Sequence, residues 1–274
     1  MKKFEEILAV AGGLIKGSIF LMLVVALVPL ALVYKRVDPR HAFVIPQFFH
    51  RLLLRLLGIR LLVSGSPATT APILFVANHA SSLDIPILGS LVPASFVSKA
   101  EVSSYPLFGF LARVQNTLFI EKRSVKAADQ REQLTEHVQK GYNLIMFPEG
   151  DSTDGLTVLP FKSSLFSIVE DAKGALTVQA ISIACTKLDG RPMSAEDRHK
   201  VYVWHGDTSL LPHLWAVFTR GRFTIDVVFH EPLTHTEGMN RKLLAMTCQD
   251  MVARGIEHSL TGQAAPQQPI LPAN

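Results

Sequence analysis

The stretch Asn78-His79-Ala80-Ser81-Ser82-Leu83-Asp84 sets an imidazole and a carboxylate five residues apart, behind the apolar run Ile73–Ala77 and ahead of Ile85-Pro86-Ile87-Leu88. That order reads as strand, turn and helix start. Along one continuous helix, five residues turn through about 500°, so the two side chains would point apart. With His79 in the turn and Asp84 in the first helical turn, the carboxylate folds back onto the ring, and the helix dipole favours an acid there. A carboxylate on one ring nitrogen fixes the tautomer and leaves the other nitrogen to act as a base. Of the ten histidines, only His79 has an Asp or Glu five residues on. The same residues also fit a structural role. Ser81–Asp84 makes a capping box with Asp in the place of Glu or Gln, and Asn78 serves as a turn residue.

Three further clusters carry chemistry. Lys99-Ala100-Glu101 is followed by Pro106-Leu107-Phe108-Gly109. Thr117–Ile120 ends in Glu121-Lys122-Arg123, where a strand presents cations to a phosphate or merely ends in water. Phe147-Pro148-Glu149-Gly150-Asp151-Ser152-Thr153, followed by Leu159-Pro160-Phe161-Lys162, reads as a tight turn that aims a carboxylate and bare amides into a crevice. Such amides hold a phosphate or a developing oxyanion. An ordinary polar loop has the same composition. No cluster has metal-ligand spacing. Cys185 and Cys248 lie far apart, which fits a reducing compartment and no disulfide framework.

The elements that must position these residues follow from patterning. The 274 residues are 48% hydrophobic and only 18% charged, apolar for a soluble protein. Gly17 to Val33 is uncharged and mostly apolar, bounded by Lys16 and Lys35-Arg36. It reads as a membrane anchor, spanning or dipping into one leaflet, with Pro29 kinking its end. A buried core helix is the alternative. Glu5 and Glu6 ahead of it and no small-residue site behind it argue against a cleaved signal peptide. From Phe43 to Leu62, apolar residues at helical spacing alternate with His50, Arg51, Arg55 and Arg60, as in an interfacial helix on anionic lipid. Lys35, Arg36, Arg40, Arg51 and Arg55 all follow the anchor, so a spanning anchor leaves the bulk of the chain in the cytoplasm.

Beyond Pro72 apolar runs alternate with helical patterns. Strands are expected at 73–77, 117–120, 143–147, 178–183, 201–204 and 223–229, and helices at 85–91, 107–114, 126–140, 161–171, 211–219 and 241–260. The result is an α/β fold: a mostly parallel central sheet flanked by helices, with an N-terminal membrane-associated helical pair. Sites in such sheets collect at the carboxyl ends of strands, where His79 and Glu149 both fall. Residues 1–62 are thus the anchor and interfacial helix, 63–260 the α/β domain, and 261–274 a Pro/Gln/Ala-rich disordered tail. The net charge of +4 suits anionic headgroups or a phosphorylated donor, and no nucleic-acid motif accompanies it.

Taken together, the clusters resemble the glycerolipid acyltransferases that acylate 1-acylglycerol-3-phosphate and related lysolipids. Their Asn-His, four residues, Asp signature is matched by Asn78–Asp84, and their later blocks by Phe119–Arg123, Phe147–Thr153 and Val178–Ile183, in order. Three positions depart. Lys122 replaces an Arg, Asp151-Ser152-Thr153 replaces Thr-Arg-Ser, and Ala180 replaces a Pro. The second departure removes the cation credited with gripping an acceptor phosphate, a contact of roughly 1.5–3 kcal/mol. Leu159–Phe166 and Pro212-His213-Leu214-Trp215 look like the lyso-ornithine lipid branch, whose amino-acid headgroup would suit an acid at 151.

The resemblance implies direct transfer of a fatty acyl group from acyl carrier protein or coenzyme A to a lysolipid hydroxyl. The acceptor would be lyso-ornithine lipid or 1-acyl-sn-glycerol-3-phosphate. His79 would be the base and Asp84 its orienter. Asn78, Lys99, Lys122, Arg123, Glu149, Gly150, Asp151, Ser152 and Lys162 would contact substrate. No metal or redox cofactor is implied. The lipid bilayer would be a partner, with the protein in the cell inner membrane and its site on the cytoplasmic face. The rivals are a non-catalytic membrane-binding protein of the same fold and a lipid hydrolase, the latter without a Gly-x-Ser-x-Gly elbow.

Overall fold

The computed structural model describes residues 2–38, 42–70, 72–121, 127–172, 175–205, 209–233 and 240–262. Arg40, Lys122, Arg123 and the tail from residue 263 lie outside the described residues. In chain order the elements begin with α1 (Lys2–Val37), α2 (Val44–Leu57), β1 (Arg60–Ser64), β2 (Ile73–Ala77), α3 (Asp84–Leu91) and β3 (Ser95–Lys99). A short 3-10 turn at Ala100–Ser104 leads to α4 (Phe108–Val114), β4 (Leu118–Ile120), α5 (Ala127–Gln139) and β5 (Leu144–Met146). A second 3-10 turn, Ser163–Phe166, runs into α6 (Ser167–Asp171), then β6 (Thr177–Leu188), β7 (Arg191–Pro192) and α7 (Ala195–Asp197). A π turn at Arg198–Tyr202 precedes α8 (Leu210–Thr219), β8 (Phe223–Phe229) and α9 (Arg241–Thr261).

The strands form one sheet in the order β1-β8-β6-β2-β5-β3-β4, with β7 paired to β6. β6, β2, β5, β3 and β4 are mutually parallel, and β8 runs antiparallel to β6. The expected mostly parallel α/β sheet is therefore present. β2 is buried on both faces, as its unbroken Ile-Leu-Phe-Val-Ala run requires. Ile73, Phe75 and Ala77 pack on one side with Leu54 and Leu57 of α2 and Ile87 and Leu88 of α3. Leu74 and Val76 pack on the other with Phe166 and with Leu244, Cys248 and Val252 of α9. β2 is thus clamped between two apolar layers, and whatever follows Ala77 starts from a fixed point.

Helix α1 continues through Pro29 and is long and apolar enough to cross a membrane by length and composition. It is also bound to the domain. A Cβ on Gly13 would come within 2.6 Å of Thr219, and Phe20 meets the rings of Phe49, Phe108 and Phe218.

Three expectations change. The interfacial helix expected to reach Leu62 stops at Leu57, where Gly58 takes φ +72° and its amide closes the end on Leu54 and Arg55 carbonyls. Part of its apolar face is covered by protein: Leu53, Leu54 and Leu57 sit in the core, while Val44 and Phe48 stay exposed, and Arg51 Nε donates to the Ser90 carbonyl. Arg60–Ser64 then joins the sheet beside β8. The strand expected at Val201–Trp204 is the π turn and its exit, closed by Val203 N donating to Arg198 O at 2.9 Å. β3 was not expected, because its Ser-Phe-Val-Ser-Lys shows neither strict alternation nor a continuous apolar run over its five positions.

Candidate active site

The carboxyl ends of β2, β3 and β5 converge on one cavity of about 1160 Å³. β2 delivers His79, β3 delivers Lys99, and β5 delivers Phe147 and the turn Gly150-Asp151-Ser152, all in the cavity wall. Its remaining walls are mainly apolar and come from α1, α2, α4 and α8, including Phe20, Phe49, Leu111 and Trp215. It has the volume and lining of a site for a long acyl chain.

His79 Nδ1 lies 2.8 Å from Asp84 Oδ2. Because a carboxylate accepts, the ring proton is assigned to Nδ1, and Nε2 is the nitrogen left for substrate. The same Oδ2 accepts from Ala80 N at 2.8 Å and Ser81 N at 2.9 Å, and Tyr202 Oη reaches Oδ1 at 3.4 Å. Only part of the capping box is realised: Ser81 Oγ accepts from Leu83 N at 3.3 Å rather than from Asp84 N, and Leu83, which precedes α3, makes no side-chain cap. Asp84 closes the turn ahead of α3 with the oxygen that also holds the imidazole. Its side chain is sealed at 0% exposure, while that of His79 is 18% exposed. The Phe147 ring stacks on the imidazole, centroids 4.3 Å apart and planes 17° from parallel, and covers one face of it.

Two residues expected to touch substrate are buried and held in framework hydrogen bonds. Asn78 is buried and spans the end of β2 to β6, donating to Ile183 O at 2.9 Å and accepting from Ile183 N at 2.8 Å. Glu149 is buried as well. It accepts from His79 N at 2.8 Å and Leu159 N at 2.7 Å, one carboxylate oxygen each. Burial outweighs those two donors and pushes its carboxyl up to about 7. With both oxygens held by backbone amides, Glu149 fixes the loop that carries His79.

The other candidates meet at the cavity mouth. Lys99 Nζ pairs with Asp151 Oδ1, and Lys162 Nζ lies 3.9 Å from Asp151 Oδ2. Gly150, at φ +74°, allows this: a Cβ there would stand 2.1 Å from Lys162 Nζ. Ser152 Oγ donates to the Trp204 carbonyl. Lys122 and Arg123 lie outside the described residues. Among the described residues no His/Cys/Asp/Glu group of three or more is placed to hold a metal.

Sequence reasoning missed the residues that arrive from far along the chain. Trp204 N donates to Ala80 O at 2.9 Å, docking the π turn on the His79 loop. His213 Nε2 lies 2.9 Å from Ser82 Oγ, and burial pulls that imidazole down to about 4, so it is neutral. No local pattern announces either contact.

A model of the acyltransferase family matches residues 60–185. The lyso-ornithine lipid O-acyltransferase of Brucella abortus is 34% identical over 265 residues, covering 92% of this chain and 99% of that protein. The 1-acyl-sn-glycerol-3-phosphate acyltransferase of Neisseria meningitidis is 33% identical over 170 residues, covering 60% and 62%. The crystal structure of the 1-acyl-sn-glycerophosphate acyltransferase from Thermotoga maritima superposes with a TM-score of 0.68 over 97% of this chain and 100% of that one, at 20% identity, which establishes a shared fold. Matched along nearly its whole length by a relative at that identity, and by the family model across the strands that carry His79 and Glu149, this chain belongs to the acyltransferase family.

Proposed function

We propose that this acyltransferase moves a fatty acyl group from a coenzyme A or acyl carrier protein thioester to the free hydroxyl of a lysolipid, with His79 as general base. The supporting observation is the His79–Asp84 pair opening onto a large apolar cavity. The acceptor hydroxyl gives its proton to His79 Nε2 as its oxygen attacks the thioester carbon, and Asp84 stabilises the imidazolium that forms. The tetrahedral intermediate collapses, the C–S bond breaks, and the imidazolium returns the proton to the thiolate. The products are the acylated lipid and a free thiol. The step uses no covalent enzyme intermediate, metal or redox group. Replacing His79 by Ala should lower transfer by about 10²–10⁴-fold while the fold persists. Labelled acyl-thioester and purified protein test this, and a variant that keeps its transfer rate refutes the base assignment.

For the acceptor, lyso-ornithine lipid is the favoured reading. A relative of that name matches nearly the full chain, whereas the 1-acyl-sn-glycerol-3-phosphate acyltransferase of Neisseria meningitidis matches 60% of it. The mouth also suits it. An amino-acid headgroup carries a carboxylate and an ammonium, and Lys99, Lys162 and Asp151 supply the complementary charges. A panel of lysolipid acceptors decides: preferential use of 1-acyl-sn-glycerol-3-phosphate overturns this choice without touching the chemistry above. Helix α1 holds the site at a bilayer, and Lys35 and Arg36 after its apolar run favour the cytoplasmic face of the inner membrane. Protease access to sealed and opened inner-membrane vesicles tests that side.

A further inference from the structure

We propose that Arg198 is a positioning residue for the His79–Asp84 pair: its buried guanidinium, beside the Tyr202 ring, is the fixed positive charge that balances the buried Asp84 carboxylate and holds it as the acceptor of His79. This rests on the base assignment above and adds a residue outside every block of the acyltransferase motif.

The argument starts from burial. Arg198 is only 3% exposed, and a guanidinium does not lose its proton, so a full positive charge is enclosed by protein. Its Nη2 donates to the Cys185 carbonyl at 3.0 Å, while Nη1 has no hydrogen-bonding partner among the described residues. A buried charge held by one neutral carbonyl needs a counter-charge nearby. The surroundings of Nη1 indicate which. A Cβ on Gly155 would lie 3.6 Å from Arg198 Nη1, 3.1 Å from Ala80 Cβ and 3.7 Å from Tyr202 Cε1. Ala80 N and Tyr202 Oη are both donors to Asp84. The guanidinium thus stands just outside the shell of groups that wraps the fully buried carboxylate.

The groups facing Asp84 from each neighbouring element narrow the assignment. Besides His79, they are Tyr202 from the π turn, Cys185 from β6, Glu149 after β5 and His213 on α8, and Arg198 acts on two of them, Tyr202 and Cys185. Burial pushes the Cys185 thiol up to about 12, raises the Tyr202 hydroxyl well above its ordinary value, and pulls His213 down to about 4, so all three are neutral near neutral pH. Glu149 contributes negative charge when it ionises. Among these groups Arg198 alone is a permanent cation. Asp226 on β8 is the other carboxylate that senses Cys185. Its carboxyl is raised by burial and accepts from Thr186 Oγ1 at 3.1 Å.

The test uses the full-length protein in detergent with lipid. Arg198→Gln removes the charge and keeps donors; Arg198→Lys keeps the charge; Asp226→Asn removes the competing counter-charge. Without the cation the pair takes up a proton more readily. The acid limb of the kcat/KM profile should then move to higher pH by about half a unit or more in R198Q, and stay in place in R198K and D226N. A uniform loss at every pH, with the limb unmoved, reduces Arg198 to a packing role and overturns the proposal. A melting-temperature cycle with Asp84→Asn is independent of turnover. R198Q should cost much less stability in the D84N background than in wild type, and if R198Q alone does not fold, the double variant should. Equal costs in both backgrounds, or a double variant that also fails to fold, overturn the proposal. That cycle reads the Arg198–Asp84 coupling even if His79 proves not to be the base.

Discussion

Two carboxylates stand at the same cavity in opposite circumstances. Asp84 is wholly buried, accepts from two backbone amides and an imidazole, and sits at the start of a helix. Asp151 is 57% exposed and pairs with two lysines that are 38% and 48% exposed. The first pair is held by neighbours that cannot move without unpacking β2 and α3. The second is a set of long side chains in water, where an ion pair contributes little and exchanges partners easily. Under the proposed reaction, a site that takes a proton from a lipid hydroxyl and must admit and release the headgroup needs both kinds of acid. Rigidity suits the base and its orienter, and exchangeable ion pairs suit the headgroup.

The largest expected effect lies on the rigid side. Asp84→Asn removes the acceptor that assigns the Nδ1 proton, so the wrong tautomer becomes available to the ring. Transfer should fall by about 10³-fold or more, with KM for the acceptor little changed. Steady-state kinetics on the purified variant measure both. An Asn variant with near-normal turnover would erase the distinction between the two acids.

Glu149 tests whether rigidity itself is built from buried acids. Glu149→Ala leaves His79 N and Leu159 N without their acceptor, and should cost about 2–4 kcal/mol of stability. Glu149→Gln retains one acceptor oxygen and should cost less. The pH dependence has a definite sign. The folded carboxyl, at about 7, holds its proton above the range in which an unfolded Glu releases it. Its stabilising contribution is complete below the ordinary carboxylate range and declines as pH rises toward and through about 7. E149Q should flatten that decline in denaturant titrations run at several pH values. An unchanged slope would mean that Glu149 does not titrate there.

How much of this was legible depends on how local each contact is. His79 and Asp84 are five residues apart on a strand–turn–helix whose apolar flanks are visible, so their meeting follows from spacing. The turn Gly150-Asp151-Ser152 is legible for the same reason. The partners of Asp151 are 52 and 11 residues away, and nothing in Lys99 or Lys162 alone points to them. Val201-Tyr202-Val203 carries the β-branched and aromatic content of a strand. It becomes a π turn that Val203 N closes locally on Arg198 O, and the tertiary bond from Trp204 N to Ala80 O holds it in place. The amphipathic pattern of α2 makes it legible as a helix, while the seating of Leu53, Leu54 and Leu57 in the core is not legible. Periodicity reports that an apolar face exists, and only the neighbouring α3 decides what covers it.

The smallest expected effect lies on the exposed side and bears on acceptor choice. In Asp151→Asn both lysines lose their carboxylate partner, and the mouth gains one unit of positive charge. A dianionic phosphate headgroup should gain, and a headgroup bearing an ammonium should lose the acid that faces it. The ratio of 1-acyl-sn-glycerol-3-phosphate to lyso-ornithine lipid use should rise by about two- to five-fold, and added salt should shrink that change, because screened surface pairs are worth little. Ser152→Arg adds a cation beside the same lysines and should shift the ratio in the same direction, although it also gives up the bond to the Trp204 carbonyl. His79 and Asp84 touch none of these groups, so turnover at saturating preferred acceptor should hold while the KM values diverge. A fall in turnover with an unchanged acceptor ratio would mean that Asp151 supports the site's geometry, and the contrast between a fixed acid and an exchangeable one would fail at its exposed end.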